Sequence, residues 1–185
     1  MARIFFLFLI VCISAVSCKS PEARRPVQSS SGSFIQESAV RNKKIYENEK
    51  AIIQNIMEAD SQNSYLASDS GFWYFYNTKQ DSIESQKPKL GDLITFTYDV
   101  QQLNGTEVLS TEENGIQNYK VDQSNQELIS GLRDGLKLMK VGETVTFLFP
   151  SYKAYGYYGI VDKLGTNVPI QSKVTLKSIE QTQEN

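Results

Sequence analysis

The chain has 185 residues with 40% apolar content and a formal net charge of −2, from 19 basic and 21 acidic side chains mixed along its length. About 110 residues remain once the two ends are set aside, enough for one compact domain, and the balanced charge offers no basic footprint, so nucleic acid is excluded as an expected partner. Histidine is absent and the two cysteines, Cys12 and Cys18, both lie near the amino terminus, which removes histidine bases, nucleophile triads, most zinc sites and any disulfide or thiolate centre of the folded body; no cofactor and no metal are expected.

Arg3 followed by the apolar run Ile4 to Ile13 has the layout of a secretory signal, with a hydrophobic stretch of about 10 residues that is too short to span a bilayer. Ala15-Val16-Ser17-Cys18 has the form of a bacterial lipoprotein cleavage box. The expectation is a signal peptide over 1–17 and lipidation of Cys18, against the plainer alternative of an incidental cysteine. Acyl chains contribute about 0.8 kcal/mol per buried CH₂, so the anchor would be stable. That places the protein in the cell envelope, attached to a membrane and facing the periplasm.

Residues 18–33 are rich in Ser, Pro, Arg and Gln and cannot supply a core, which predicts a flexible tether. From Phe34 to about Ala59 the apolar residues Ile35, Ala39, Ile45, Tyr46, Ile52, Ile53, Ile56 and Met57 recur near helical spacing among polar ones. This predicts a helix of roughly 39 Å at 1.5 Å per residue. Its stripe fits either a spacer folded back on the domain or the seam of a homodimer through residues 34–59. The polar stretch from Asp60 to Gly71 reads as a boundary, so 34–70 is spacer helix plus boundary and 71–181 the domain.

Short alternating segments follow. Phe72 to Tyr76 reads as a strand, and Ile94, Phe96, Tyr98 and Val100 share one face of a strand over Leu93 to Val100. Asn104-Gly105 suits a two-residue type I′ turn, returning the chain through Thr106 to Ser110. Ser124-Asn125-Gln126-Glu127 fits a capping box, after which Leu128, Ile129, Leu132, Leu136 and Met139 line one helical face. Val145, Phe147 and Phe149 alternate with Thr144, Thr146 and Leu148, and Val174 and Leu176 alternate near the end. The fold class is α+β: a curved antiparallel sheet, or half-barrel, wrapped around one short helix and preceded by a spacer helix.

Taken alone, Phe96, Tyr98, Phe147 and Phe149 are ordinary core residues of a small β domain, and Tyr155 to Tyr158 an ordinary turn. Their context adds more. Phe96-Thr97-Tyr98, Asn104-Gly105, Glu127 to Leu132, Val141-Gly142-Glu143, Ala154-Tyr155-Gly156 and Val168-Pro169-Ile170 stand in an order and spacing that resembles the FK506-binding-protein-type prolyl isomerases from about Gly71 to Glu180. With the leader and helix, the chain is most similar to the lipid-anchored gliding-motility isomerases of Bacteroidetes-type bacteria.

The resemblance implies a peptidyl-prolyl cis-trans isomerase acting on proline-containing peptides and envelope proteins, or a non-catalytic proline-binding module of an envelope machine. It implies a pocket floored by Leu132 and walled by Tyr98, Tyr119, Leu128 and Leu176, with Val168 beside them. The Ile129 N–H and the Tyr155 hydroxyl would donate to the bound peptide; with Tyr98 they form the expected catalytic set. Val108 stands where the family has phenylalanine, and Leu109 where it has an aspartate that helps catalysis. Ser110 and Glu107 offer no replacement by position.

Overall fold

The computed structural model describes residues 31–81, 86–123 and 128–181. Residues 1–37 and 38–185 form separate units. The expected signal peptide, Cys18 and most of the expected tether lie outside the described residues. No helix among the described residues is long and apolar enough to cross a membrane.

Helix α1 runs Ser31–Ala59. It starts three residues before the expected Phe34, so the end of the predicted tether is helical. Its apolar stripe divides in two. Ile53 is fully buried and Ile45, Tyr46, Ile56 and Met57 are half-buried, while Phe34, Ile35, Val40 and Ile52 face solvent. The carboxyl-terminal half thus packs on the domain, as the spacer reading expects. Asp60 closes the helix by accepting from Asn63 Nδ2 and the Tyr65 hydroxyl, both at 2.8 Å. Those two bonds hold its carboxyl below the usual carboxylate range.

The sheet holds eight strands among the described residues: β1 Leu66–Ser68, β2 Phe72–Thr78, β3 Leu93–Tyr98, β4 Val100–Gln102, β5 Glu107–Leu109, β6 Gln117–Lys120, β7 Thr144–Phe149 and β8 Ile170–Glu180. All pairings are antiparallel, in the order β1-β2-β7-β8-β3-β6, with β4 joined to β8 and β5. β1 falls inside the stretch expected to be a boundary, because Leu66, Ala67 and Ser68 pair with Tyr74, Trp73 and Phe72. The sheet therefore begins five residues earlier than position 71. Residues on β8 alternate: Ile170, Ser172, Val174 and Leu176 are buried, with more accessible neighbours between them.

The hairpin between β4 and β5 departs from the two-residue turn. Only Gly105 has positive φ, at 88°. Gly105 N–H donates to the Gln102 carbonyl and Gln102 N–H to the Thr106 carbonyl, which makes Leu103-Asn104-Gly105 a three-residue loop ending in a left-handed glycine. Asn104 instead caps the turn, its Oδ1 accepting from Thr106 N–H at 3.0 Å.

Two further helices are short: α2 Thr111–Asn114 and α3 Ser130–Leu136. The expected capping box at Ser124 to Glu127 lies outside the described residues. α3 starts from Ile129, whose side chain makes no cap bond, so Leu128 and Ile129 precede the helix rather than lining it. Gly131 and Gly135 set how closely α3 lies on β7. A Cβ on Gly131 would stand 2.6 Å from Phe149, and one on Gly135 2.9 Å from Phe147. The Phe147 and Phe149 rings stack at 5.4 Å and both meet Phe72 edge-on. Leu132, Leu136 and Met139 complete this core between helix and sheet.

Candidate active site

β3 and β4 are one strand bent at Asp99. The Asp99 N–H donates to the Lys173 carbonyl and its own carbonyl accepts the Ser172 hydroxyl. Its Oδ1 takes the Lys173 N–H at 2.7 Å. Burial raises the Asp99 pKa, partly offset by that backbone bond. Because side chains alternate along a strand, this leaves Tyr98 on the core side with Ile94 and Phe96. The Phe96 and Tyr98 rings lie 5.9 Å apart. Asn114 of α2 donates to the Tyr98 carbonyl at 3.1 Å, so the bend is held from both sides.

Tyr155 arrives from another direction. Pro150 ends β7, and a 3₁₀ turn over Ser151–Lys153 follows. The Ala154 and Gly156 N–H groups both donate to the Ser151 carbonyl, and the Gly156 carbonyl accepts from Asn167 N–H at 2.7 Å. Gly156, at φ 55°, allows the chain to fold tightly after Tyr155. Lys153 pairs with Asp134 of α3 at 2.9 Å, and Asp134 also meets Lys137 at 3.4 Å, tying this turn to the helix.

These elements bring the Tyr98 and Tyr155 side chains together, close enough for each phenol to influence the other's ionisation. Burial raises the pKa of both phenols; the neighbouring Tyr155 hydroxyl lowers that of Tyr98, and the neighbouring Tyr98 raises that of Tyr155.

All ten expected site residues fall in one apolar cluster, at two depths. Leu132, Leu176, Tyr119 and Val108 are buried, whereas Tyr98, Leu109, Leu128, Ile129, Tyr155 and Val168 are partly exposed and pack against them. Leu176 has no exposed surface and Tyr119 only 4%. Leu132, at 1%, is as deep, so these three lie beneath the partly exposed set. The Ile129 carbonyl accepts the Arg133 N–H at 3.2 Å as the first bond of α3, which fixes the peptide plane at that corner.

Leu109 lies half-buried opposite Val100. Ser110 uses its hydroxyl to cap α2 through Glu113 N–H at 3.1 Å, and Glu107 is exposed, so neither brings a polar group to the Leu109 position. Ile160, which packs on the same cluster, was not singled out by the sequence; Ala154 was, but only as part of the Ala154-Tyr155-Gly156 motif. Lys163 in the loop of Ile160 pairs with Glu113 of α2, linking the segments on either side of Tyr98 and Tyr155. No group of three or more Cys, Asp or Glu residues is placed to hold a metal ion among the described residues. What the arrangement offers chemically is an uncharged apolar surface bearing phenol hydroxyls.

The model of the family described as FKBP-type peptidyl-prolyl cis-trans isomerase matches residues 84–177. A probable FKBP-type peptidyl-prolyl cis-trans isomerase, FkpA, of Neisseria meningitidis serogroup B is 33% identical over 102 residues, which are 55% of this chain and 36% of that protein. The chain thus matches about a third of that relative's length. Among solved structures, a peptidyl-prolyl cis-trans isomerase from Pseudomonas syringae pv. tomato superposes with a TM-score of 0.58 at 19% identity, covering 75% of this chain and 96% of the other. FkpA from Escherichia coli gives 0.58 at 20% identity, covering 95% and 82%. At those identities the two structures speak for the fold.

Proposed function

Because the chain belongs to the FKBP-type peptidyl-prolyl cis-trans isomerase family, we propose that it catalyses cis-trans isomerisation of X-Pro bonds in the cleft formed by Tyr98, Ile129, Leu132 and Tyr155. The observation that carries this is that Tyr98, Ile129 and Tyr155, from three separate segments, all pack at the partly exposed edge of the apolar cluster that holds Leu132.

The chemistry asks for no acid, base or metal. The barrier of about 18–20 kcal/mol arises from amide resonance, which is lost as the bond twists. Water stabilises the planar, charge-separated amide more than the twisted one, so an apolar cleft raises the ground state relative to the transition state. Each 1.36 kcal/mol of difference is about tenfold in rate. A prolyl ring resting on Leu132 would leave the preceding residue near Ile129 N–H and Tyr155. On binding, the Tyr155 hydroxyl donates to the peptide, holding the turned conformation that the twisted state needs.

The surrounding biology follows the leader. Lipidated Cys18 would anchor the protein in the cell envelope facing the periplasm, with envelope proteins as clients and a role in folding or gliding motility. The exposed Phe34, Ile35 and Val40 stripe of α1 suits a homodimer seam. Leu109 supports a second reading, in which the domain binds proline segments of an envelope machine without turning them over. A refolding assay limited by proline isomerisation separates the two. Acceleration by the purified protein supports catalysis; peptide binding without acceleration rejects it.

A further inference from the structure

A second cleft lies beside the turn that carries Tyr155, between α1 and the segments around Ser151 and Asn167. It has a volume of about 280 Å³ and is lined by Asn42, Tyr46, Glu49, Tyr152, Tyr157 and Asn167 among others. Glu49 is 4% exposed. Its Oε2 accepts the Ser151 N–H at 2.8 Å, while Oε1 is closed off from solvent and has no hydrogen-bond partner among the described residues. A helix whose stripe is otherwise apolar thus directs a carboxylate into the interior, where an unpaired charge is costly. The Tyr46 and Tyr152 rings meet edge-on at 5.5 Å, and Tyr152 is held in place by its hydroxyl bond to the Gly71 carbonyl at 2.9 Å. Tyr157, 72% exposed, stands at the rim.

A half-satisfied carboxylate among tyrosine rings is a recognition surface for an ammonium or guanidinium group, which can give Oε1 a charge-assisted hydrogen bond and lie against the ring faces. The size selects the form of the ligand. At about 280 Å³ the cleft falls just below the roughly 300–1,000 Å³ of pockets for free small molecules, and suits one long side chain. Gly156 lines the cleft and is the next residue after Tyr155. We propose that this cleft takes a lysine or arginine side chain of the client peptide close to the proline held by Tyr155, so that the protein prefers basic flanking sequences. The inference rests on the isomerase reading for its peptide, and on Glu49 for its specificity.

The test is a set of short proline peptides in which lysine, arginine, norleucine or glutamate is moved through the positions on either side of the proline, assayed with the full chain. At one or more positions lysine and arginine should exceed norleucine by about tenfold in kcat/KM, the size of one charge-assisted hydrogen bond, with glutamate lower still. Glu49→Gln, which keeps an acceptor for the Ser151 N–H, should bring the lysine-to-norleucine ratio close to one. Tyr157→Leu, at an exposed position, should lower the ratio and serves if the Glu49 variant does not fold. No preference at any position, or a preference that survives both substitutions, overturns the proposal. If no peptide is turned over, the isomerase reading fails instead, and the same comparison is read as binding affinity: lysine peptides must still bind more tightly than norleucine peptides through Glu49.

Discussion

Replacing Gly131 by alanine sets two effects of opposite sign against each other. Alanine favours the helix over glycine by about 1 kcal/mol. The new Cβ, however, would stand 2.6 and 2.7 Å from Phe149 ring atoms and 2.9 Å from the Lys153 carbonyl oxygen. The ring cannot retreat, since it stacks on Phe147 at 5.4 Å and meets Phe72 at 5.2 Å. The carbonyl belongs to the turn that leads to Tyr155. Overpacking costs about 1–3 kcal/mol, and three contacts below 3.0 Å, one of them to backbone, put this site at about 2–3, so the net loss should be about 1–2 kcal/mol. At an unfolding entropy of about 2.1 cal/mol/K per residue, that lowers Tm by roughly 3–6 °C for a body of this size. Displacement of α3 also moves the Ile129 N–H, and kcat/KM should fall by about tenfold. Gly135→Ala is the internal control. Its Cβ meets only Phe147 side-chain atoms, the nearest at 2.9 Å, so its cost should be about half. Urea unfolding of both variants measures this; Gly131→Ala as stable as the parent, or less damaging than Gly135→Ala, would refute the close-packing argument.

Three other outcomes are expected. Tyr155→Phe removes the hydroxyl that meets Tyr98 and should cost about 1 kcal/mol in urea unfolding, with about a tenfold loss of isomerase rate; an unchanged rate would remove the hydroxyl from the mechanism. Burial lifts the Tyr98 and Tyr155 phenols, and lifts Tyr65 to about 12. A folded pKa above the unfolded value of about 10 contributes stability that is complete below pH 10 and lost as pH rises through the folded values. The urea midpoint should therefore fall above about pH 10, and phenolate absorbance should show part of the tyrosine signal titrating late, a part that shrinks in Tyr155→Phe. Leu109→Asp, which installs the carboxylate usual for the family, should raise kcat/KM while costing about 1–2 kcal/mol, because a half-buried leucine loses its packing; a rate that does not rise would show that the apolar cleft suffices without that group.

The strands around Phe72, Phe96, Phe147 and Val174 were legible because their inward residues alternate, and that period survives any bending of the sheet. Tyr98, Ile129, Leu132 and Tyr155, picked out by the register of short motifs, do share one apolar cluster. The depth of each residue could not be read in this way. Tyr119 and Leu176 look like wall residues in the sequence, yet the neighbouring strands leave them almost no surface. The turn at Asn104-Gly105 was misread for a related reason: a dipeptide does not state how many residues its hairpin bonds enclose, and Gln102 and Thr106 decide that.

Alternation and helical period, both local, were enough to specify an α+β domain, and the lack of histidine removed the commonest general base. What needed the folded chain was every relation between segments distant in sequence. Glu49 reads as one polar residue on a polar helix, and only its meeting with Ser151, 102 positions later, turns it into a buried carboxylate. The meeting of Tyr155 and Tyr98, and the two glycines that allow α3 to lie against Phe147 and Phe149, belong to the same class. Side-chain periodicity is a property of neighbours along the chain, whereas contact, burial and charge pairing depend on which surfaces the sheet brings together.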